Sequence, residues 1–270
     1  MPGPRSMIVW LNGALVAAAS ARIDPADRGF TLGDGLFETI AVAGGEARHL
    51  ADHLARLRSG ASLLGIPMLP DPRIALALGD VLRANRLALG SARITLTRGP
   101  APRGLRPPPD VTPTMLMTVS PPTPVPEAAR AVITRLVCRN PASPLARIKS
   151  IGYLEAILAL RDAERQGGDE ALLLDPRGNL AGATASNLFL MQEGRLCTPR
   201  LEDGALAGLR RQRLIERCGA AELSMPPDRL GTVGCVFLAN SLRLRPVASV
   251  DGRLLPRDDC RIEELTRETA

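Results

Sequence analysis

Between residues 102 and 126 the chain carries nine prolines: Pro102, Pro107, Pro108, Pro109, Pro113, Pro121, Pro122, Pro124 and Pro126. Proline fixes φ and lacks an N–H donor, so such density on either side of Thr114–Val119 disfavours helix. The density suits a stiff, extended connector. The 270 residues therefore divide into a small N-terminal domain over 1–120 and a larger C-terminal domain over 127–270, with a Pro-rich linker at 121–126.

Both halves mix strand and helix patterns. Asn12-Gly13, the strongest short hairpin signal, joins strands Met7–Leu11 and Ala14–Ala18. Leu36–Val42 reads as a strand. Leu50, His53, Leu54, Leu57, Ala61 and Leu64 fall on one helical face. Ile74–Leu89 is a second helical stretch, and strands follow at Ala92–Thr97 and Thr114–Val119. In the second half, strands are expected at Ala131–Cys138, Ala171–Leu174, Asn187–Met191, Arg195–Thr198, Val233–Leu238 and Val247–Val250. A helix carries Ile151, Leu154, Ile157 and Leu158, and another spans Leu209–Cys218. Asp258-Asp259 and Glu263-Glu264 read as a solvated tail. The class is α+β. No G-x-G-x-x-G follows a strand, which excludes a Rossmann fold.

The net charge of +6 raises nucleic acid as a partner, but the arginines are dispersed. One Tyr, one Trp and four Phe make no stacking platform for bases. No apolar run reaches the roughly 18 residues a membrane span needs. Arg5, Met7–Leu11 and Ala17–Ala21 outline a signal peptide, but Asn12-Gly13 interrupts the apolar stretch, and the expected location is the cytoplasm. The five cysteines are scattered with no C-x-x-C pair, which argues against a disulfide framework and against a metal site. The phosphate-loop, H-E-x-x-H and G-x-S-x-G motifs are absent.

Of the 34 basic residues, one is lysine, Lys149. A drift from Lys to Arg would have taken Lys149 too, unless arginine fails there. Arginine keeps its proton in a protein; lysine can lose it, attack a carbonyl and act as a base. Such a lysine needs a carbonyl partner. Gly208-Leu209 opens a helix, whose N-terminus attracts anions, and Arg210 and Arg211 add charge. Asn240-Ser241 follows an apolar strand and offers short polar donors. A phosphate cradle with a carbonyl-binding lysine is what pyridoxal 5′-phosphate requires.

Several segments match one family in order and spacing. They are Asp27-Arg28-Gly29-Phe30, Gly33-Asp34-Gly35-Leu36-Phe37-Glu38-Thr39, His53-Leu54-Ala55-Arg56-Leu57, Thr97-Arg98-Gly99, Arg147-Ile148-Lys149-Ser150, Thr184-Ala185-Ser186-Asn187-Leu188-Phe189, Thr198-Pro199, Gly208-Leu209-Arg210-Arg211, and Phe237-Leu238-Ala239-Asn240-Ser241 leading to Pro246-Val247. The chain resembles the fold-type IV pyridoxal-phosphate enzymes: branched-chain and D-amino-acid aminotransferases, and aminodeoxychorismate lyase. The resemblance implies a two-domain D-amino-acid-aminotransferase-like fold. It implies that Lys149 holds the cofactor covalently and shuttles the Cα proton. Arg56, the backbone N–H groups of Leu209 and Arg210 after Gly208, and Ser241 with Asn240 would bind the phosphate. Arg103 and Phe30 would contact a small amino substrate. The family's substrate loop reaches a neighbouring subunit, which implies a homodimer.

Two positions depart from the family. Gly182 stands where a glutamate bonds the pyridine nitrogen, and Gly152 where asparagine is usual. A carboxylate at 182 would keep that nitrogen protonated, which transamination needs most. The lyase reaction draws on the aromaticity of its product. The expected activity is therefore 4-amino-4-deoxychorismate lyase, giving 4-aminobenzoate and pyruvate for folate biosynthesis. The alternatives are a D-amino-acid or branched-chain-type aminotransferase, and a catalytically degenerate member that still binds the cofactor.

Overall fold

The computed structural model describes residues 7–125 and 127–270. Arg5 of the signal-like segment and Pro126 of the linker lie outside the described residues. The chain divides into two compact units, one of residues up to Pro124 with Ile148–Gly152, the other of Val125–Arg147 with Tyr153–Ala270. The sequence places Lys149 with the second half, but its short segment is built into the first unit.

The first unit contains β1 (Ile8–Leu11), β2 (Ala14–Ala17), α1 (Arg28–Leu32), β3 (Gly35–Ala43), β4 (Glu46–Ala47), α2 (Leu50–Leu64), α3 (Asp71–Asn85), β5 (Leu89–Thr97) and β6 (Thr114–Ser120). The six strands order as β2-β1-β6-β5-β3-β4. Asn12 and Gly13 both take positive φ, 49° and 108°, as a type I′ hairpin turn demands. One face of the sheet, through Leu36, Ile40, Ile94, Leu96 and Met117, packs with Leu54 and Leu57 of α2 and Ile74, Leu78 and Val81 of α3. The expected helix to Leu89 ends at Asn85 instead. The Asn85 amide donates to Ile8 O and its oxygen accepts from Ile8 N, so the side chain fastens the end of α3 to β1 and frees Leu89 for strand.

The second unit contains β7 (Ala129–Cys138), α4 (Leu154–Arg165), β8 (Glu170–Leu174), β9 (Leu180–Ala183), β10 (Asn187–Gln192), β11 (Arg195–Pro199), α5 (Leu209–Cys218), β12 (Ala221–Leu223), β13 (Cys235–Ala239), β14 (Leu244–Val250), β15 (Arg253–Leu254) and α6 (Asp259–Glu268). The strands order as β12-β11-β10-β13-β14-β7-β8-β9, with β15 on β14. Most neighbours are antiparallel. β7–β8, β7–β14 and β11–β12 are parallel, so the described residues hold two βαβ crossovers, β7–α4–β8 and β11–α5–β12. Phe189 and Phe237 stack across β10 and β13, centroids 5.2 Å apart, a pairing worth about 0.5–1.5 kcal/mol beyond its burial.

Two expectations are corrected here. The expected helix is α4, but it starts at Leu154 and leaves Ile151 outside; it buries Ala159 and Ala163 against Val132, Ala171 and Leu173, while Leu154, Ile157 and Leu158 are exposed. The small residues face the sheet because they allow close approach. The C-terminal segment is a helix and not merely a polar tail, although Asp258, Asp259, Glu263 and Glu264 are exposed as expected. Asp258 caps α6 by accepting from Arg261 N at 3.0 Å, and Ile262 and Leu265 are buried beside Phe189 and Leu214. No helix among the described residues is long and apolar enough to cross a membrane.

Candidate active site

Residues 149–151 run antiparallel to the start of β3. Phe37 N–H donates to Lys149 O at 3.0 Å and Ile151 N–H to Gly35 O at 3.1 Å, with Leu36 opposite Ser150. Lys149 therefore stands directly across from Phe37, on the same face. Its Nζ lies 4.3 Å from the Phe37 ring centroid, within cation–π range.

The other face of β3 carries Glu38 between Leu36 and Ile40, all buried. A carboxylate there needs partners, because burying an unpaired charge is costly. α2 supplies two. Arg56 Nε donates to Glu38 Oε1 and Arg56 Nη2 to Oε2, both at 2.7 Å. His53 Nδ1 contacts Oε2 at 2.6 Å; a carboxylate is acceptor-only, so that nitrogen carries the hydrogen. Burial pushes the Glu38 carboxyl up, but the bonds from His53 and Arg56 outweigh it and hold it below the usual carboxylate range. The Arg56 guanidinium is thus oriented by a bidentate fork. The sequence reading singles out Arg56 and misses Glu38 as its positioning residue. A lone charge in an apolar strand was the available signal.

A second ion cluster sets the loop that carries Arg103. Asp34 accepts from Arg28 Nε at 2.8 Å and from Arg98 Nε at 2.7 Å. Burial raises its carboxyl, and the bonds from Arg98 and Arg28 bring it below its ordinary value. The remaining Arg28 nitrogens donate to Gly104 O at 2.7 Å and Leu105 O at 2.9 Å. Arg28 also opens α1, where Phe30 is 79% exposed. The structure thus ties the Phe30 helix to the Arg103 loop through Arg28. Arg103 is itself exposed.

In the second unit, Gly208, Leu209 and Arg210 form the N-terminus of α5. Gly208 is the N-cap and no side chain caps the first turn, so its N–H groups remain for an anion. A Cβ added at Gly208 would lie 2.0 Å from Asn187 Oδ1, so a larger residue there would displace the Asn187 side chain. The Asn187 amide in turn donates to Leu206 O at 2.8 Å. Its neighbour Ser186 accepts from Asn240 Nδ2 at 3.1 Å. The Ser186-Asn187 pair therefore braces both the α5 N-terminus and the β13–β14 turn. Asn240 is not a spare donor. Its Oδ1 accepts from Leu242 N and Arg243 N, which shapes the turn holding Ser241. Arg210 is buried, with Nε and Nη1 lacking a hydrogen-bond partner. Burial, then the nearby Arg213, lowers its pKa. A buried guanidinium without an acceptor beside an uncapped helix N-terminus fits a phosphate dianion.

Gly182 lies in β9 opposite Leu173, at φ +154°. It is a conformation that side-chain-bearing residues rarely adopt, so glutamate is missing together with the backbone that would carry it. The buried carboxylate on the paired strand, Glu170, is engaged elsewhere. Its Oε1 accepts from Thr184 Oγ1 at 2.5 Å and Thr184 N at 3.2 Å.

The Amino-transferase class IV profile matches residues 35–250. A protein assigned as a branched-chain-amino-acid aminotransferase from Methanocaldococcus jannaschii is 31% identical, over 97% of this chain and 93% of that protein. The structure of 4-amino-4-deoxychorismate lyase from Pseudomonas aeruginosa is 32% identical, covers 97% of this chain and 96% of its own, and superposes with a TM-score of 0.81. A Legionella pneumophila structure assigned as the same lyase is also 32% identical. It covers 92% of this chain and 94% of its own, with a TM-score of 0.86.

Proposed function

This chain belongs to the class IV aminotransferase family, whose cofactor is pyridoxal 5′-phosphate, and from that premise we propose that it is a 4-amino-4-deoxychorismate lyase. The substrate loses a proton from its amine-bearing carbon, and the ether C–O bond breaks. Enolpyruvate leaves and takes up a proton to become pyruvate, and the ring becomes 4-aminobenzoate.

When bound, the cofactor supplies an aldehyde carbon that joins the substrate amine and a pyridine ring that draws electrons from the adjacent carbon. Lys149 holds the cofactor and its Nζ carries the proton to and from the substrate carbon. Arg56, held by Glu38, binds the phosphate, as do the Leu209 and Arg210 N–H groups and the Ser241 hydroxyl. Asn240 and Asn187 position that cup. Arg103 and Phe30 contact the substrate.

The observation that carries the lyase reading is Gly182. A carboxylate there would hold the ring nitrogen protonated by charge, and this chain offers none. Transamination depends on that electron withdrawal more than a reaction whose product is aromatic. The 32% identity to the Pseudomonas aeruginosa lyase supports the same reading. The aminotransferase reading is favoured by the Methanocaldococcus jannaschii relative. Incubation with cofactor and 4-amino-4-deoxychorismate, watching for pyruvate, tests the proposal beside D-alanine/2-oxoglutarate and leucine/2-oxoglutarate assays. Brisk transamination without pyruvate release would replace the lyase.

A homodimer in the cytoplasm completes the reading. Leu154, Ile157 and Leu158 form an exposed apolar stripe on α4, and Leu105 is exposed on the Arg28-clamped loop, which suits burial against a second copy. Sedimentation checks it; a single species of 28.7 kDa would rule it out.

A further inference from the structure

The helix-covered face of the first unit's sheet holds a cavity of about 380 Å³ that takes no part in the chemistry above. Its floor is Trp10, Leu96 and Met115, each at most 8% exposed. Its outer wall is the α2–α3 connection through Met68, and its mouth carries the exposed Asn12 and Arg73. Leu96 pairs with Leu36 and with Met115, and Trp10 with Met117, so the floor lies on the face of Leu36. Side chains alternate between faces along a strand, so Phe37 and the Lys149 beside it lie on the other. The sheet itself separates this cavity from the lysine.

Hydrogen bonds hold the walls. Asn12 N–H donates to Met115 O at 3.1 Å, and Met115 N–H donates to Asn12 Oδ1 at 2.8 Å. The Arg98 guanidinium donates to Leu64 O at 2.7 Å and to Gly65 O at 3.1 Å, which anchors the chain just ahead of Met68. The cavity is thus preformed, apolar inside and polar at one end, the pattern of a small-ligand site. Arg73 is the one charged residue among those that line it. Its guanidinium has no acceptor among the described residues; the neighbouring acid, Asp71, is paired with Arg58.

We propose that this cavity is a second ligand site, for a flat aromatic monocarboxylate of two fused rings. An engineered cavity of about 150 Å³ takes benzene, so about 380 Å³ accommodates two rings and a carboxylate. The Trp10 ring and the thioethers of Met68 and Met115 favour an aromatic ring over an alkyl chain. One guanidinium at the mouth, with no second cation beside it, matches a single negative charge.

The test uses the cofactor-loaded full chain. Trp10 is the sole tryptophan, so 5-fluorotryptophan puts one fluorine label on the cavity floor. 2-Naphthoate should shift that single resonance and show the same midpoint by calorimetry. 2-Naphthalenemethanol, its neutral counterpart, should bind more weakly. Arg73→Gln should weaken 2-naphthoate roughly two- to tenfold, as for an exposed charge pair, and leave 2-naphthalenemethanol unchanged. Thr112→Phe, at another exposed lining position, narrows the cavity and should weaken both ligands together. Melting temperatures first establish that both variants fold. A fluorine resonance that millimolar 2-naphthoate does not move overturns the proposal, even where calorimetry records binding elsewhere on the chain. An equal loss of both ligands in Arg73→Gln, or no loss of either in Thr112→Phe, overturns it as well. Octanoate binding as tightly as 2-naphthoate would assign the cavity to alkyl chains and overturn the aromatic assignment.

Discussion

Phe37 meets Lys149 twice: its N–H donates to the Lys149 carbonyl at 3.0 Å, and its ring lies 4.3 Å from the Lys149 ammonium. The first contact fixes the backbone of the lysine to β3. The second holds the side chain on the same face. A single residue in the strand therefore sets both the origin and the direction of the chain's only primary-amine side chain.

Lys149→Ala should fold and lose turnover by at least about 10²–10⁴-fold, the range for a positioned acid–base group. Lys149→Arg should be equally inactive, since arginine keeps its proton. Borohydride reduction followed by peptide mapping should fix the cofactor to one wild-type peptide and to none in Lys149→Ala. Normal turnover in the alanine variant would remove Lys149 from the mechanism.

Arg56→Ala should weaken pyridoxal 5′-phosphate affinity by roughly ten- to a hundredfold, as expected for a charge-assisted contact. Affinity for pyridoxal, which has no phosphate, should hardly change. Glu38→Gln should act on both affinity and stability, because it leaves buried charge unpaired at a cost of about 3–5 kcal/mol. Fluorescence titration of apoprotein with each ligand gives the comparison. An equal loss for pyridoxal would mean that Arg56 supports the fold rather than the phosphate.

The sequence pointed to candidate site residues where chemistry leaves few choices. A sole lysine and Gly208 ahead of a helix are visible in one sequence, whereas Arg56 came only through the family resemblance. Glu38 was hidden because a strand pattern does not say which helix faces it. α4 was expected, but its buried face was not read, because periodicity registers large apolar residues, whereas close helix–sheet packing selected Ala159 and Ala163. α6 escaped because its two buried residues, Ile262 and Leu265, sit among acids that dominate the composition. The pairing of residues 149–151 with β3 is long-range and leaves no local trace.

Acid should destabilise the first unit through Glu38 and Asp34. Both carboxyls titrate below their ordinary values in the folded chain, so the unfolded chain binds protons first as pH falls. Their contribution is complete above the unfolded values of about 3.9–4.3. It is lost as pH drops through the lower folded values. Urea midpoints at pH 7, 5, 4 and 3 should fall mainly over the last steps, and Glu38→Gln and Asp34→Asn should each flatten that decline. A decline as steep in both variants would place the acid sensitivity elsewhere.

Gly182→Glu offers a test of the electron-withdrawal argument, but the backbone complicates it. At φ +154° the added Cβ would also approach Ser186 O to 3.2 Å. Strain of about 1–3 kcal/mol should lower the melting temperature, by roughly 2–4 °C per kcal/mol for a chain of this order of size. Gly182→Ala carries the same backbone strain without the carboxylate, so the difference between the two variants isolates the charge. Gly152→Asn serves as a control, since a Cβ there meets only Ser150 Oγ at 4.0 Å and should cost little. Relative to Gly182→Ala, Gly182→Glu should raise half-transamination with amino acids and change pyruvate release less. Melting temperatures that do not distinguish Gly182→Ala from wild type would contradict the strain. Brisk wild-type transamination that the glutamate does not improve over the alanine would show that this chain needs no carboxylate at 182. The aminotransferase reading would then stand in place of the lyase.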